Sequence, residues 1–248
     1  MKLLGISKLL KKNEVAEVDV EAEQKEIKLA PPDISLGISP RQVEPVKEID
    51  ELLLSRFSEK GLCKCDACGV TINKDMRHSL ESKGNWYNVC SMCYYPTHLD
   101  KIPSFEEGHI ICFPEMSQPR LNAFIRGLWV VQFFANSDPN NQEMLDVADT
   151  LSDMDRIFEH ITKVTANFMK APTDTGILAS TLFLLQEEEY AQKHKYFGSF
   201  RWMPPREIFE KEIVFWAQQD YGALHHEQIS GNITKFMKQY TPQFRIKE

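Results

Sequence analysis

A chain of 248 residues can hold one sizeable domain or two small ones. Its 42% hydrophobic and 26% charged content is that of an ordinary globular protein, and no apolar run reaches the eighteen residues a membrane-spanning helix needs. The formal net charge of −7 argues against a surface built to grip nucleic acid, because Lys and Arg neutralising phosphates supply most of that affinity.

Residues 1–48 read as a flexible N-terminal segment. Met1 to Lys12 sets Leu3, Leu4, Ile6, Leu9 and Leu10 beside Lys2, Lys8, Lys11 and Lys12. This pattern suits a frayed terminus, or a small amphipathic helix lying on a partner or a membrane surface. Its apolar stretches are too short for a signal peptide, so a cytoplasmic protein is expected. The acidic stretch Asn13 to Glu26 and the prolines Pro31, Pro32, Pro40 and Pro45 follow. Such composition buries too little apolar surface to offset its ordering entropy.

Glu48 to Phe57 reads as a short helix, with Ile49, Leu52, Leu53 and Phe57 on one face. Next come two CxxC pairs, Cys65/Cys68 and Cys90/Cys93, separated by twenty-one residues. Each CxxC turn lets two thiolates converge, and two turns supply the four sulfurs of a closed structural Zn²⁺ site. Unligated thiols or a disulfide pair are the bland alternative. A catalytic zinc is disfavoured because four sulfurs leave no position for water. Cys63 competes with Cys65 as first ligand, but Cys65 keeps the spacing. Cys112, in the apolar run His109 to Phe113, reads as a buried core residue. Between the pairs, Gly69 to Ile72 and Trp86 to Val89 look like two short strands joined through Asn73, Lys74, Asp75 and Gly84. A knuckle, a hairpin and a second CxxC opening a helix make a treble clef, in which metal replaces the core so few residues cannot build.

From residue 109 the chain becomes helical. His109 to Phe113 is a strand candidate ended by Pro114. Ser117 can cap a helix from Gln118 to Ala135, whose Leu121, Phe124, Ile125, Leu128 and Gln132, thickened by Trp129, Val131 and Phe133, suggest burial on more than one side. A second helical region spans about Gln142 to Lys170, with Ile157, Phe158, Ile161, Val164, Thr165 and Phe168 as its stripe. Asp174 can cap a third helix from Thr175 to about Tyr196, and a fourth runs from Pro205 to Gln219. The expected class is therefore α+β, mainly α. A treble-clef zinc module over residues 49–115 precedes a four-helix region over 116–220 packed on it, and residues 221–248 form a polar tail.

Apart from the cysteines, no catalytic constellation stands out. His78, inside the zinc hairpin, is where treble-clef nucleases place a metal-activating histidine, but Arg77 precedes it and Tyr94 stands where a second histidine would be useful. His98 and His109 have no companions at metal spacing, and His225-His226 is an adjacent pair in the tail. Glu187-Glu188-Glu189 reads as a solvated helix face. Trp86-Tyr87 and Tyr94-Tyr95 lack interleaved Lys/Arg, so they are expected to pack around the metal rather than stack on bases. Between Gly61 and Glu115 there are five Lys/Arg against seven Asp/Glu.

Three stretches carry a family resemblance: the double CxxC hairpin at Cys65, Cys68, Cys90 and Cys93; Cys112-Phe113-Pro114-Glu115-Met116-Ser117-Gln118-Pro119-Arg120-Leu121-Asn122; and Gly198-Ser199-Phe200-Arg201-Trp202-Met203-Pro204 through Phe209 and Trp216. Together these resemble the IcmJ/DotN family of type IV secretion and conjugation coupling-complex proteins over residues 60 to 220. The resemblance implies a degenerate His-Asn-His endonuclease-like module with one structural zinc and no enzymatic activity. It implies an adaptor that binds the C-terminal tail of the coupling ATPase and other coupling-complex subunits, meeting the membrane only through that complex, with no nucleic acid bound. The competing readings are a metal-dependent nuclease using His78 and a zinc-bearing nucleic-acid-binding protein.

Overall fold

The computed structural model describes residues 30–103, 108–137, 142, 156–167 and 173–221. Among the described residues the strands form three separate two-stranded antiparallel sheets. Helix α1 (Lys47–Ser55) carries Glu48 and Asp50 in its first turn, where the helix dipole favours acid. It buries Leu53, while Leu52 of the expected stripe stands 54% exposed. The Leu53 carbonyl accepts from Asn88 Nδ2 at 2.9 Å, which ties α1 to the second hairpin.

The pairing around the cysteines differs from the expected one. Strand β1 (Leu62–Lys64) pairs with β2 (Thr71–Asn73) across the first CxxC turn, and β3 (Arg77–Ser82) pairs with β4 (Asn85–Cys90). Thus Thr71-Ile72 and Trp86 to Val89 lie in different hairpins rather than pairing with each other. The deciding element is the two-residue turn Lys83-Gly84, with φ of 54° and 78°. Positive φ at both central positions is the turn whose twist matches a tight hairpin, and it recruits the polar run Arg77–Ser82 as partner strand. The two hairpins are joined by backbone bonds from Asp66 N to Asn88 O (2.8 Å) and by Asn88 N donating to Asp66 Oδ2 (2.7 Å). Helix α2 (Ser91–Tyr94) follows β4 directly.

Strand β5 (His109–Cys112) forms as expected, but its partner β6 (Phe200–Met203) lies about ninety residues later, Ile110 opposite Trp202. Helix α3 (Gln118–Ser137) is buried on several sides, as its broad apolar face implies. Within the second helical region, residues 156–167 form helix α4, burying Phe158, Ile161 and Thr165 while Val164 faces out. Ser152 and Phe168 lie outside the described residues. Asp174 caps α5 (Thr175–Leu184) through Ile177 N at 2.9 Å.

The long helix expected from Thr175 to Tyr196 is instead three: α5, then α6 (Glu187–Ala191) and α7 (Lys193–Phe197). Gln186 and Glu189 form a reciprocal capping box that starts a new helix and leaves Leu185 extended. The last expected helix opens as a 3₁₀ turn at Glu207–Phe209, becomes α8 (Glu210–Trp216) and ends in a π turn, Ala217–Tyr221.

The fully buried Trp202, Phe209 and Trp216 form the centre of the core, with Trp129 and Tyr95 packed on Phe209 at ring separations of 5.7 and 6.2 Å. These rings come from β6, the 3₁₀ turn before α8, α8 itself, α3 and the residue after α2, so the cysteine module and the helices share one interior.

Of the segment 1–48 expected to be flexible, residues 1–29 lie outside the described residues, and residues 31–42 are packed. From Pro31 the chain belongs to the main compact unit, and Ile34, Leu36 and Ile38 are buried in its core. Gly37 exchanges backbone bonds with Pro96 and Leu99, both at 2.9 Å, and Ile38 N donates to Tyr190 Oη at 3.1 Å. Alternating Ile34, Leu36 and Ile38 is the period of an extended, half-buried strap, a signal masked by the prolines around it. Met1 to Lys12 and the tail from Gly222 lie outside the described residues.

Candidate metal centre

Cys65 and Cys68 sit on the turn between β1 and β2, and Cys90 and Cys93 bracket the start of α2. The first turn is closed by Gly69 N to Cys65 O and Cys65 N to Val70 O, both 2.8 Å, and needs the positive φ of Gly69, 73°. The β4 register then carries Cys90 to the same point. The four sulfurs lie within 4.8 Å of one another, with Cys68 Sγ and Cys90 Sγ 3.7 Å apart. That separation is far beyond a disulfide bond and matches the edge, roughly 3.8 Å, of a tetrahedron with metal–sulfur bonds of about 2.3 Å. The donor set therefore fits a thiophilic ion held tetrahedrally.

The surroundings are built for anionic sulfur. Cys90 N donates to Cys65 Sγ at 3.4 Å, Asn122 Nδ2 to Cys93 Sγ at 3.5 Å and Arg126 Nη1 to Cys68 Sγ at 3.3 Å. Hydrogen bonds from Cys65, Cys90 and Cys93 hold the Cys68 thiol well below its ordinary value, whereas Cys90 and Cys93 are pushed well above theirs by contacts with Cys65 and Cys68 and by burial. Burial opposes the charge of Arg126, but the Cys68 sulfur beside it prevails and raises its pKa.

Gln118, Asn122 and Arg126 are buried, one helical turn apart on α3. Gln118 makes a two-bond fork with the Trp202 backbone, Nε2 to O and Oε1 from N, both 2.8 Å, and donates to Asn122 Oδ1 at 2.9 Å. Asn122 Nδ2 reaches Met92 O at 2.6 Å. Arg126 Nε meets Tyr221 Oη at 3.4 Å, and its guanidinium lies 5.7 Å from the Trp216 ring. This polar stripe is not included in the broad apolar face expected of α3. Its signal was three polar residues at a spacing of four inside a run otherwise rich in Leu, Ile, Val and Trp.

Cys63, on β1, is outside the sulfur cluster, and burial followed by Asp66 pushes its thiol up to about 11. Cys112 is half-buried on β5, its thiol also pushed up by burial and Glu115.

His78 and His98, separate in sequence, come together on opposite faces of Tyr94, with ring centroids 4.2 and 3.8 Å away and interplanar angles of 15°. His78 Nε2 lies 3.2 Å from Ser91 Oγ, and His98 Nδ1 lies 2.7 Å from Thr97 Oγ1. Burial and then His98 push His78 down to about 4; burial also lowers His98. Both imidazoles are occupied by stacking and hydroxyl contacts. Among the described residues, the four-cysteine group is the one cluster of three or more His, Cys, Asp or Glu able to hold a metal. Of the aromatic pairs, Tyr87 is buried and Tyr95 packs on Trp202. His225-His226 lies outside the described residues.

At the far side of the first knuckle, Asp220 accepts from Thr71 N (2.8 Å), Thr71 Oγ1 (2.6 Å) and Lys64 Nζ (2.7 Å), fastening the π turn to β1 and β2. No helix among the described residues is long and apolar enough to cross a membrane. No family model and no curated protein sequence matches the chain.

Proposed function

We propose that the protein is a non-catalytic adaptor whose cysteine cluster holds one structural Zn²⁺ in a treble-clef, His-Asn-His-endonuclease-like module. The observation that carries this reading is the closed four-sulfur set, with His78 stacked on Tyr94 and outside that set. Such a centre supplies rigidity, on the order of 10 kcal/mol of folding free energy in small modules, and offers no site for activated water. The resemblance of the 112–122 and 198–216 stretches supplies the partner: a segment of a type IV secretion or conjugation coupling ATPase. A cavity of about 410 Å³ between the strap and α5, lined by Ile38, Pro40, Phe183 and Leu184, suits such docking. Phe183 and Leu184 are 61% and 76% exposed.

Native pull-down of the full chain followed by mass spectrometry tests the assignment. Wild-type protein is expected to recover the coupling ATPase, and Phe183→Asp/Leu184→Asp to lose it. Plasmid cleavage with Mg²⁺, Mn²⁺ or Ni²⁺ that disappears in His78→Ala would overturn the adaptor reading in favour of a nuclease.

A further inference from the structure

We infer that Arg126 and Asn122 are positioning residues for the metal centre, and that through them metal occupancy governs the packing of α3, β6 and the α8–π-turn end of the chain. The inference rests on the zinc reading above but concerns residues outside the ligand set.

Four thiolates around a divalent ion leave a dianion buried in the interior, which is costly without a counter-charge or donors. The chain supplies them from one helix. Arg126, 5% exposed, places its guanidinium on Cys68 Sγ, and Asn122, fully buried, places its amide on Cys93 Sγ, so each CxxC pair receives one side-chain donor from α3. Outer-shell donors of this kind orient ligands and tune how tightly the metal is held.

Both residues also face away from the metal. Asn122 accepts from Gln118, whose fork fixes the backbone of Trp202 at the centre of the core. Arg126 touches Tyr221 and the Trp216 ring at the other end. The ion fixes the sulfurs to which these side chains donate. Once it leaves, the two sulfur acceptors on the α3 face lose their fixed positions, and the Arg126 guanidinium keeps only Tyr221 and the Trp216 ring while the Asn122 amide keeps only the Met92 carbonyl. Loss of metal thus loosens the helical region, beyond the two hairpins that carry the ligands.

The full chain loaded with Zn²⁺ is transferred to a chromogenic chelator, and the release rate is compared for wild type, Arg126→Met and Arg126→Lys. Arg126→Met is expected to release zinc about 10- to 100-fold faster, the usual range for loss of an outer-shell partner, and Arg126→Lys to fall between. In the Co²⁺-substituted proteins, the thiolate-to-cobalt charge-transfer band should move to longer wavelength in Arg126→Met and partly return in Arg126→Lys, because a donor on sulfur stabilises its lone pairs. A merely structural role for Arg126 would not move that band.

A folded Arg126→Met protein with wild-type release and an unmoved band overturns the inference, while a wild-type chain that never takes up zinc overturns the zinc reading beneath it. Should Arg126→Met not fold, hydrogen exchange of the wild type decides. Amide protection in α3 and residues 210–221 is expected to fall on zinc removal, and unchanged protection there overturns the inference.

Discussion

Tyr94 separates two imidazoles that repel each other when charged. His78, partly buried, is pressed against one face and the buried His98 against the other, and Arg77 lies next to His78 in the chain. Burial, then His98 and Arg77, push His78 down, whereas His98 is lowered by burial against the opposing pull of the Tyr94 carbonyl, Asp100 and Glu44. Burial followed by Glu44 and Asp100 pushes the Tyr94 hydroxyl up to about 12. A histidine whose folded pKa lies below its unfolded value contributes its stability in full above about 6.5 and loses it as pH falls toward the folded value. For His78 that window runs from about 6.5 down to about 4. The ring protons of His78 should therefore titrate with a midpoint near 4. An NMR titration with a midpoint near the ordinary value, about 6.5, would contradict the stacked, desolvated geometry.

Among the elements, β6 is flanked by β5 on one edge and bonded by a side chain at Trp202. Gln118 at the start of α3 bonds both backbone groups of Trp202, as a neighbouring strand would. Trp202 itself is fully buried, so Trp202→Ala should cost about 3–5 kcal/mol, read as a lower denaturant midpoint with unchanged slope. Asp220→Ala should cost about 1–3 kcal/mol by leaving Thr71 N–H without its acceptor. Burial opposes the Asp220 charge, but Lys64 and Thr71 outweigh it and lower its pKa. Its contribution is thus complete above the ordinary aspartate value, about 3.9, and is lost as pH falls through the lower folded value. A wild-type-minus-Asp220→Ala difference that stays constant down to that range would show that the clamp carries no charge-dependent stability. The four cysteines were legible in the sequence because CxxC spacing is local. The strand partners were not, because Lys83-Gly84 lacks the usual Asn-Gly signature and β6 pairs across about ninety residues. The Gln118–Asn122–Arg126 stripe was visible as spacing, yet its meaning depends on what faces it, which only folding reveals.

Over the whole molecule, the strap at residues 31–42 joins parts that the sequence keeps apart. Ile34, Leu36 and Ile38 enter the core, and Gly37 passes where a Cβ would meet Lys193 Nζ, Thr97 O and Tyr190 Oη, each at 2.9 Å. Lys193 donates to the Leu36 carbonyl and lies over the Tyr190 ring, while Arg41 donates to Leu185 O at 3.0 Å. Here burial overcomes Asp33 and pushes Lys193 down to about 8, the cost of closing the strap over an amine. The strap touches the segment after α2 and helices α6 and α7, so it links the cysteine module and the helices within one compact unit. Ile38→Ala, at a site 1% exposed, should then cost about 2–5 kcal/mol and lower a single melting transition of the entire unit, whereas Val43→Ala, 62% exposed, should change stability by no more than about 0.5 kcal/mol. Calorimetry separates the possibilities. If Ile38→Ala splits the transition in two, with the part that carries the cysteine cluster unmoved, the strap belongs to the helices alone. If it leaves the melting temperature unchanged, the strap is peripheral. One transition, shifted downward, is what a core running continuously from Ile38 through Trp202 to Trp216 requires.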